Sequence, residues 1–158
     1  MVVDLDPVDL EIVRLLLHDG RTPASQIAER VGLSRPAVAD RIEKLERSGV
    51  IRGTTLVVDP AVLGRGVTAF VSARGASLDP KSWRLFRQMM ESDEILEVHT
   101  VAGEDCYLLK VRTESISSLN ALVSKLTSPP LSLATRTTIV MQTHCEKVGG
   151  ITLGETAS

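Results

Sequence analysis

Arginine is concentrated where it could grip a polyanion. Between positions 21 and 52 stand Arg21, Arg30, Arg35, Arg41, Lys44, Arg47 and Arg52 against four acids, while residues 1–20 hold Arg14 against five acids. The guanidinium is a planar fork that suits phosphate oxygens and the guanine edge, so six arginines in one short segment point toward nucleic acid. A solvated helix surface is the competing reading of such a charge run. The overall charge of −2 averages this asymmetry away over 158 residues. A second cluster, Gly103, Glu104, Asp105 and Cys106, sets two acids and a thiol behind a glycine. Acidic neighbours disfavour a thiolate, and Cys106 reads as a packed strand cysteine rather than a redox sensor.

Other chemistries find little to work with. Cys106 and Cys145 are too few for a disulfide framework, and His18, His99 and His144 show no metal-ligand spacing. No nucleophile, base and orienting group assemble, so no catalytic residue, metal site or cofactor is expected. Aromatic residues make up 3% of the chain, which leaves few platforms for stacking single-stranded bases and favours a duplex. No apolar run approaches the ~18 residues of a membrane span. The opening MVVDLDP carries acids where a secretory signal carries bases, and a cytoplasmic protein without a membrane partner is expected.

The elements that would position these groups are marked by local signals. Asp6 as N-cap, Pro7 at the first helical position and the apolar recurrence Ile12, Val13, Leu16, Leu17 predict a helix from Pro7 to His18, ended before Gly20. Thr22-Pro23 starts a short helix with Ile27, Ala28 and Val31 inward, closed by Gly32. Ser34 caps a third, whose stripe Val38, Ile42, Leu45 faces inward until Gly49 stops it. Two short helices joined by Gly32-Leu33-Ser34 have the spacing of a helix-turn-helix, whose second helix enters the major groove. Its outward face would show Arg35, Pro36, Ala39, Asp40 and Glu43, flanked by Arg41 and Lys44. A trihelical module that binds protein is the alternative.

Val50 to Val58 reads as extended, and Asp59-Pro60 with Leu63-Gly64-Arg65-Gly66 punctuates a linker. Beyond it come a strand at Val67 to Arg74, a helix capped by Asp79-Pro80, strands at Ile95 to Val101 and Cys106 to Val111, a helix through Ile116 to Leu126, and a strand at Ala134 to Gln142. The order βαββαβ predicts a ferredoxin-like split βαβ sheet, hence an α+β chain. Helices cover one face of such a sheet, and a second copy packed on the other is the expected cover. The expected domains are residues 1–52 for DNA binding, 53–66 as hinge strand and linker, 67–145 for dimerisation and sensing, and 146–158 as a flexible tail. An extra edge strand through Ile151 to Leu153 stays open.

The run GRTPASQIAERVGLSRPAVADRIEKLERSGVI, preceded by LDPVDLEIVRLLLHD and followed by a βαββαβ pattern containing AGEDCYLLKV, resembles the Lrp/AsnC, or feast/famine, family of transcriptional regulators. The likeness runs from about Leu5 to about Gln142. It implies a winged helix-turn-helix, a hinge strand and a C-terminal ligand-sensing domain that dimerises and assembles further into tetramers or octamers. It also implies a small effector, an amino acid or related metabolite, bound near the loop joining the second and third sheet strands. Carried onto this chain, that site comprises Thr100, Ala102, Gly103, Glu104, Asp105, Cys106 and, on the last strand, Thr137. The family loop commonly reads glycine, acid, aromatic, aspartate; here Asp105 and Cys106 replace the last two. Strand alternation keeps a carboxylate at 105 from simply replacing one at 106.

The expected DNA contacts follow the same reading. Arg35, Ala39 and Asp40 would meet base edges, Ser34 and Pro36 would lie at the helix start, and Arg21, Arg41, Lys44 and Arg52 would hold phosphates. The expected function is a sequence-specific, non-enzymatic DNA-binding regulator responding to a small metabolite. The alternatives are an enzyme similar to the sirohaem decarboxylases of like build, for which the three scattered histidines offer no pocket, and a protein-binding oligomer without DNA affinity.

Overall fold

A computed structural model describes residues 4–75 and 79–147. The chain divides into two compact units with the boundary between Val57 and Val58. In the first, α1 spans Pro7–His18, α2 Ala24–Val31 and α3 Arg35–Arg47. The first and third begin where the local chemistry says they should. Asp6 accepts a hydrogen bond from the Asp9 amide at 2.7 Å, and Ser34 accepts one from the Ala37 amide. Proline sits in the first turn of α1 and α3, where a missing amide costs no internal bond. Thr22 does not cap α2; its hydroxyl donates to the Asp19 carbonyl, and Pro23 stands at the cap without a side-chain bond. Gly32 adopts φ +69°, a conformation strained for residues with a Cβ, and its amide closes α2 on Ala28. The three helices enclose Ile12, Ile27, Ala28, Val38 and Leu45, with Ile42 and Val31 half-buried beside them.

The expected hinge strand is absent from the described residues. From Arg52 to Asp59 the backbone has no regular structure, and Pro60 to Gly64 forms turns. An extended segment becomes a strand only when a neighbour takes its backbone groups, and none of the described residues does so here. Leu56 and Val57 consequently stand 77% exposed.

The second unit carries β1 at Val67–Arg74, α4 at Pro80–Met90, β2 at Ile95–Thr100, β3 at Tyr107–Thr113, α5 at Ile116–Thr127 and β4 at Ala134–Ile139. The sheet order is β2-β3-β1-β4 with every neighbouring pair antiparallel, the split βαβ arrangement. Alternation in β1 sends Ala69, Val71 and Ala73 into a core completed by Phe86, Leu109, Val111, Leu119, Leu122 and Leu126. Phe70, on the opposite face, is 39% exposed. β3 starts one residue later than expected and runs on to Thr113, where β1 still supplies partners down to Val67. β4 ends at Ile139 instead of Gln142. The Val140 amide still donates to the Thr68 carbonyl, but β1 begins at Val67 and offers little beyond. Residues 151–153, the open edge strand, lie outside the described residues, as does most of the expected tail.

Candidate nucleic-acid interface and effector loop

The α2 to α3 turn fixes the start of α3. The Leu33 amide donates to the Ala28 carbonyl, and Ser34 then sets the first turn of α3. With Val38 and Leu45 buried, α3 leaves Arg35, Pro36, Ala39, Asp40, Glu43 and Lys44 exposed. At 1.5 Å per residue, α3 is about 20 Å long, enough to cross a major groove about 12 Å wide. Arg35 and Lys44 stand outside the ion pairs formed among the described residues, so their charges are free to meet phosphate or base. Arg47 is paired with Glu43 one turn back, at 3.4 Å. Arg21 is exposed in the turn before α2, with its Nε 4.0 Å from Asp19, and Arg52 is exposed just beyond α3.

Arg41 departs from the set expected to hold phosphate. It is half-buried, and its Nη1 donates to Asp6 Oδ2 and Asp9 Oδ1, both at 2.6 Å. Asp9 is 6% exposed. The Asp9 amide and then the Arg41 guanidinium hold the Asp6 carboxyl below the usual carboxylate range, and the two aspartates raise Arg41 further. The structure therefore occupies this guanidinium within the helical unit. Composition could not separate it from its neighbours, because its partners lie 32 and 35 residues earlier.

In the sheet unit the loop from Val101 to Cys106 is pinned at both ends. The Val101 amide donates to the Cys106 carbonyl and the Cys106 amide to Ala73, each at 3.0 Å. Gly103 adopts φ +135° with open space around it, so the loop tip needs glycine for its backbone alone. Ala102, Gly103 and Glu104 are exposed, Thr100 closes β2 opposite Tyr107, and Cys106 Sγ lies 3.7 Å from the Gly75 carbonyl oxygen. Asp105 accepts from Arg136 Nη2 on β4 at 3.3 Å. Thr137, expected near this loop, pairs with Val71 and takes the pleat side opposite to Arg136. The β4 residue joined to the loop is thus Arg136, which the sequence reading missed. Its signal was the register of β4 on β1, which no local pattern displays.

The remaining titratable groups are dispersed. His99 pairs with Glu97 at 3.1 Å, and His18 and His144 are exposed elsewhere. On the face carrying Phe70, Lys110 and Arg112 both reach Glu146, which they hold below the ordinary glutamate value. Among the described residues no three metal-ligating side chains gather, and no helix is long and apolar enough to cross a membrane.

Comparison with known proteins bears on both units. A family model for winged helix-turn-helix DNA-binding matches residues 5–52, and one for the Lrp/AsnC ligand binding domain matches residues 68–149. The chain is 34% identical over 146 residues to the HTH-type transcriptional regulator FL11 of Pyrococcus abyssi, covering 92% of this chain and 95% of that one. It is 38% identical over 129 residues to the glutamate uptake regulatory protein of Zymomonas mobilis, covering 81% and 79%. Among solved structures, the feast or famine regulatory protein Rv3291c of M. tuberculosis, complexed with L-methionine, superposes with TM-score 0.82. Its identity is 31%, over 92% of this chain and 97% of that one.

Proposed function

Because the chain belongs to the Lrp/AsnC family of helix-turn-helix transcriptional regulators, we propose that its α3 reads DNA while the loop after β2 reports a small effector. The observation that carries the reading is the outward face of α3, where Arg35 and Lys44 stand exposed and unpaired by the described carboxylates. In this reading Arg35 meets a guanine edge, Asp40 accepts from a cytosine amino group, and Ala39 makes apolar contact. Arg21, Lys44 and Arg52 hold phosphates and set the salt dependence. Ser34 and Pro36 fix the helix start at the groove floor.

The sheet unit serves assembly and sensing. Its face with Phe70, Lys110 and Arg112 meets a second copy, so that two α3 helices reach half-sites about 34 Å apart or a multiple of that. Larger assemblies, tetramers or octamers, build on this dimer in the cytoplasm, and no catalysis is involved. The effector is an amino acid or related metabolite, supported by the L-methionine complex of the M. tuberculosis relative. Thr100, Ala102, Gly103, Glu104, Asp105 and Cys106 form its loop, with Arg136 across from Asp105. A ligand there shifts DNA affinity to the extent that it binds one assembly state better than another.

A dimethyl sulfate footprint on a duplex selected from a random pool tests this reading. Two protected guanine patches about one turn apart are expected, changed in strength by at least one of the twenty amino acids. Protection without periodicity contradicts the paired helices, and indifference to all twenty removes amino acids as the effector.

A further inference from the structure

Apolar packing holds α3 against its neighbours but is non-directional. Val38 and Leu45 are buried and Ile42 half-buried, a narrow seam about which a helix can roll. A roll of one residue, about 100°, would replace every side chain offered to a groove. Charge-assisted hydrogen bonds are short and directional, and one such pair of bonds ties α3 to α1. The Arg41 Nη1 bridges Asp6 and Asp9 at 2.6 Å each. Asp6 divides its two oxygens, Oδ1 capping α1 through the Asp9 amide and Oδ2 taking Arg41. By helical spacing Arg41 lies within about 60° of the Val38 and Leu45 stripe, away from Asp40 and Glu43. Two carboxylates around one guanidinium leave a net negative charge, which repels phosphate.

We propose that Arg41 is a positioning residue: its bridge to Asp6 and Asp9 fixes the roll of α3, and so which side chains meet the bases, without itself touching DNA. This rests on the assignment of α3 as the reading helix. The test uses the full chain, a duplex selected by the wild-type protein from a random pool, and a scrambled duplex of equal length. Arg41→Gln should weaken the selected duplex about tenfold or more while changing the scrambled one less than about twofold, the signature of lost presentation rather than lost charge. The slope of log affinity against log salt should stay unchanged. Arg41→Lys, whose single ammonium can serve both carboxylates, should restore selectivity to within about threefold.

A loss shared equally by both duplexes, with a salt slope shallower by about 0.9, would make Arg41 a phosphate ligand and overturn the proposal. So would an unchanged ratio between the duplexes. If Arg41→Gln does not fold, Asp6→Asn decides, since asparagine also caps a helix but does not supply the charge. It should lower the selected-to-scrambled ratio by a smaller factor, and an unchanged ratio overturns the proposal. A wild-type protein with no preference for any duplex would instead defeat the assignment of α3.

Discussion

The helical unit and the sheet unit handle their polar and apolar surfaces in different ways. Around Ile12, Ile27, Ala28, Val38 and Leu45 the helical unit closes a small core, and its internal charges Asp9 and Arg41 satisfy each other. What α3 leaves outward is polar, with Arg35 and Lys44 outside the ion pairs of the described residues. The sheet unit builds a larger core around Phe86 and Leu109 yet covers it with helices on one side. On the other side Phe70 stands 39% exposed among Lys110, Arg112 and Glu146. The contrast fits the proposal that the first unit meets nucleic acid and the second another copy of itself. Leu56 and Val57, at the boundary in the chain, are exposed as well.

The largest effect should come from breaking the sheet core. Phe86→Ala removes a fully buried ring that packs on Trp83 and Tyr107, with centroids at 5.7 and 5.0 Å. The expected cost is about 3–5 kcal/mol. Denaturant unfolding with hydrogen exchange should show lost protection in β1 and β3 while α1 to α3 keep theirs. Equal loss in both units would make the chain one cooperative body and weaken the comparison.

Acid sharpens the comparison more gently. Asp6, held by the Asp9 amide and then by Arg41, sits below its ordinary value of 3.8. Glu146, held by Lys110 and then Arg112, sits below 4.5, and Glu97 is lowered as well, chiefly by His99. A depressed carboxyl stabilises the fold fully above its unfolded value and loses that contribution as pH falls through the folded one. Melting followed from pH 6 downward should therefore fall first in the sheet unit, starting near 4.5, and then in the helical unit, starting near 3.8. Asp6→Asn should flatten the second limb, and an unchanged limb would deny Asp6 its part.

Much of this was legible in the letters because caps and stripes are local. Asp6, Gly32 and Ser34 marked helix ends within a few residues of themselves, and the alternation Ala69, Val71, Ala73 marked the buried side of β1. The Lrp/AsnC resemblance read from the helix-turn-helix and the loop was borne out by the family models on residues 5–52 and 68–149. What stayed hidden depends on distant partners. Arg41 looks like any other base until α1 folds against α3, and Arg136 reaches Asp105 only through the pairing of β4 with β1. The hinge from residue 53 has the composition of a strand but pairs with none of the described residues.

In the proposed reading, exposed cations on α3 divide between base reading and phosphate holding. Base preferences of wild type, Arg35→Ala and Lys44→Ala, measured by selection from a random duplex pool across a salt series, test it most directly. Arg35→Ala should cost about 1–3 kcal/mol and relax preference at one position of each half-site, while Lys44→Ala should weaken every sequence alike and make the salt slope shallower by about 0.9. Base preferences that survive Arg35→Ala intact, or an Arg35→Ala loss as uniform as that of Lys44→Ala, would contradict it.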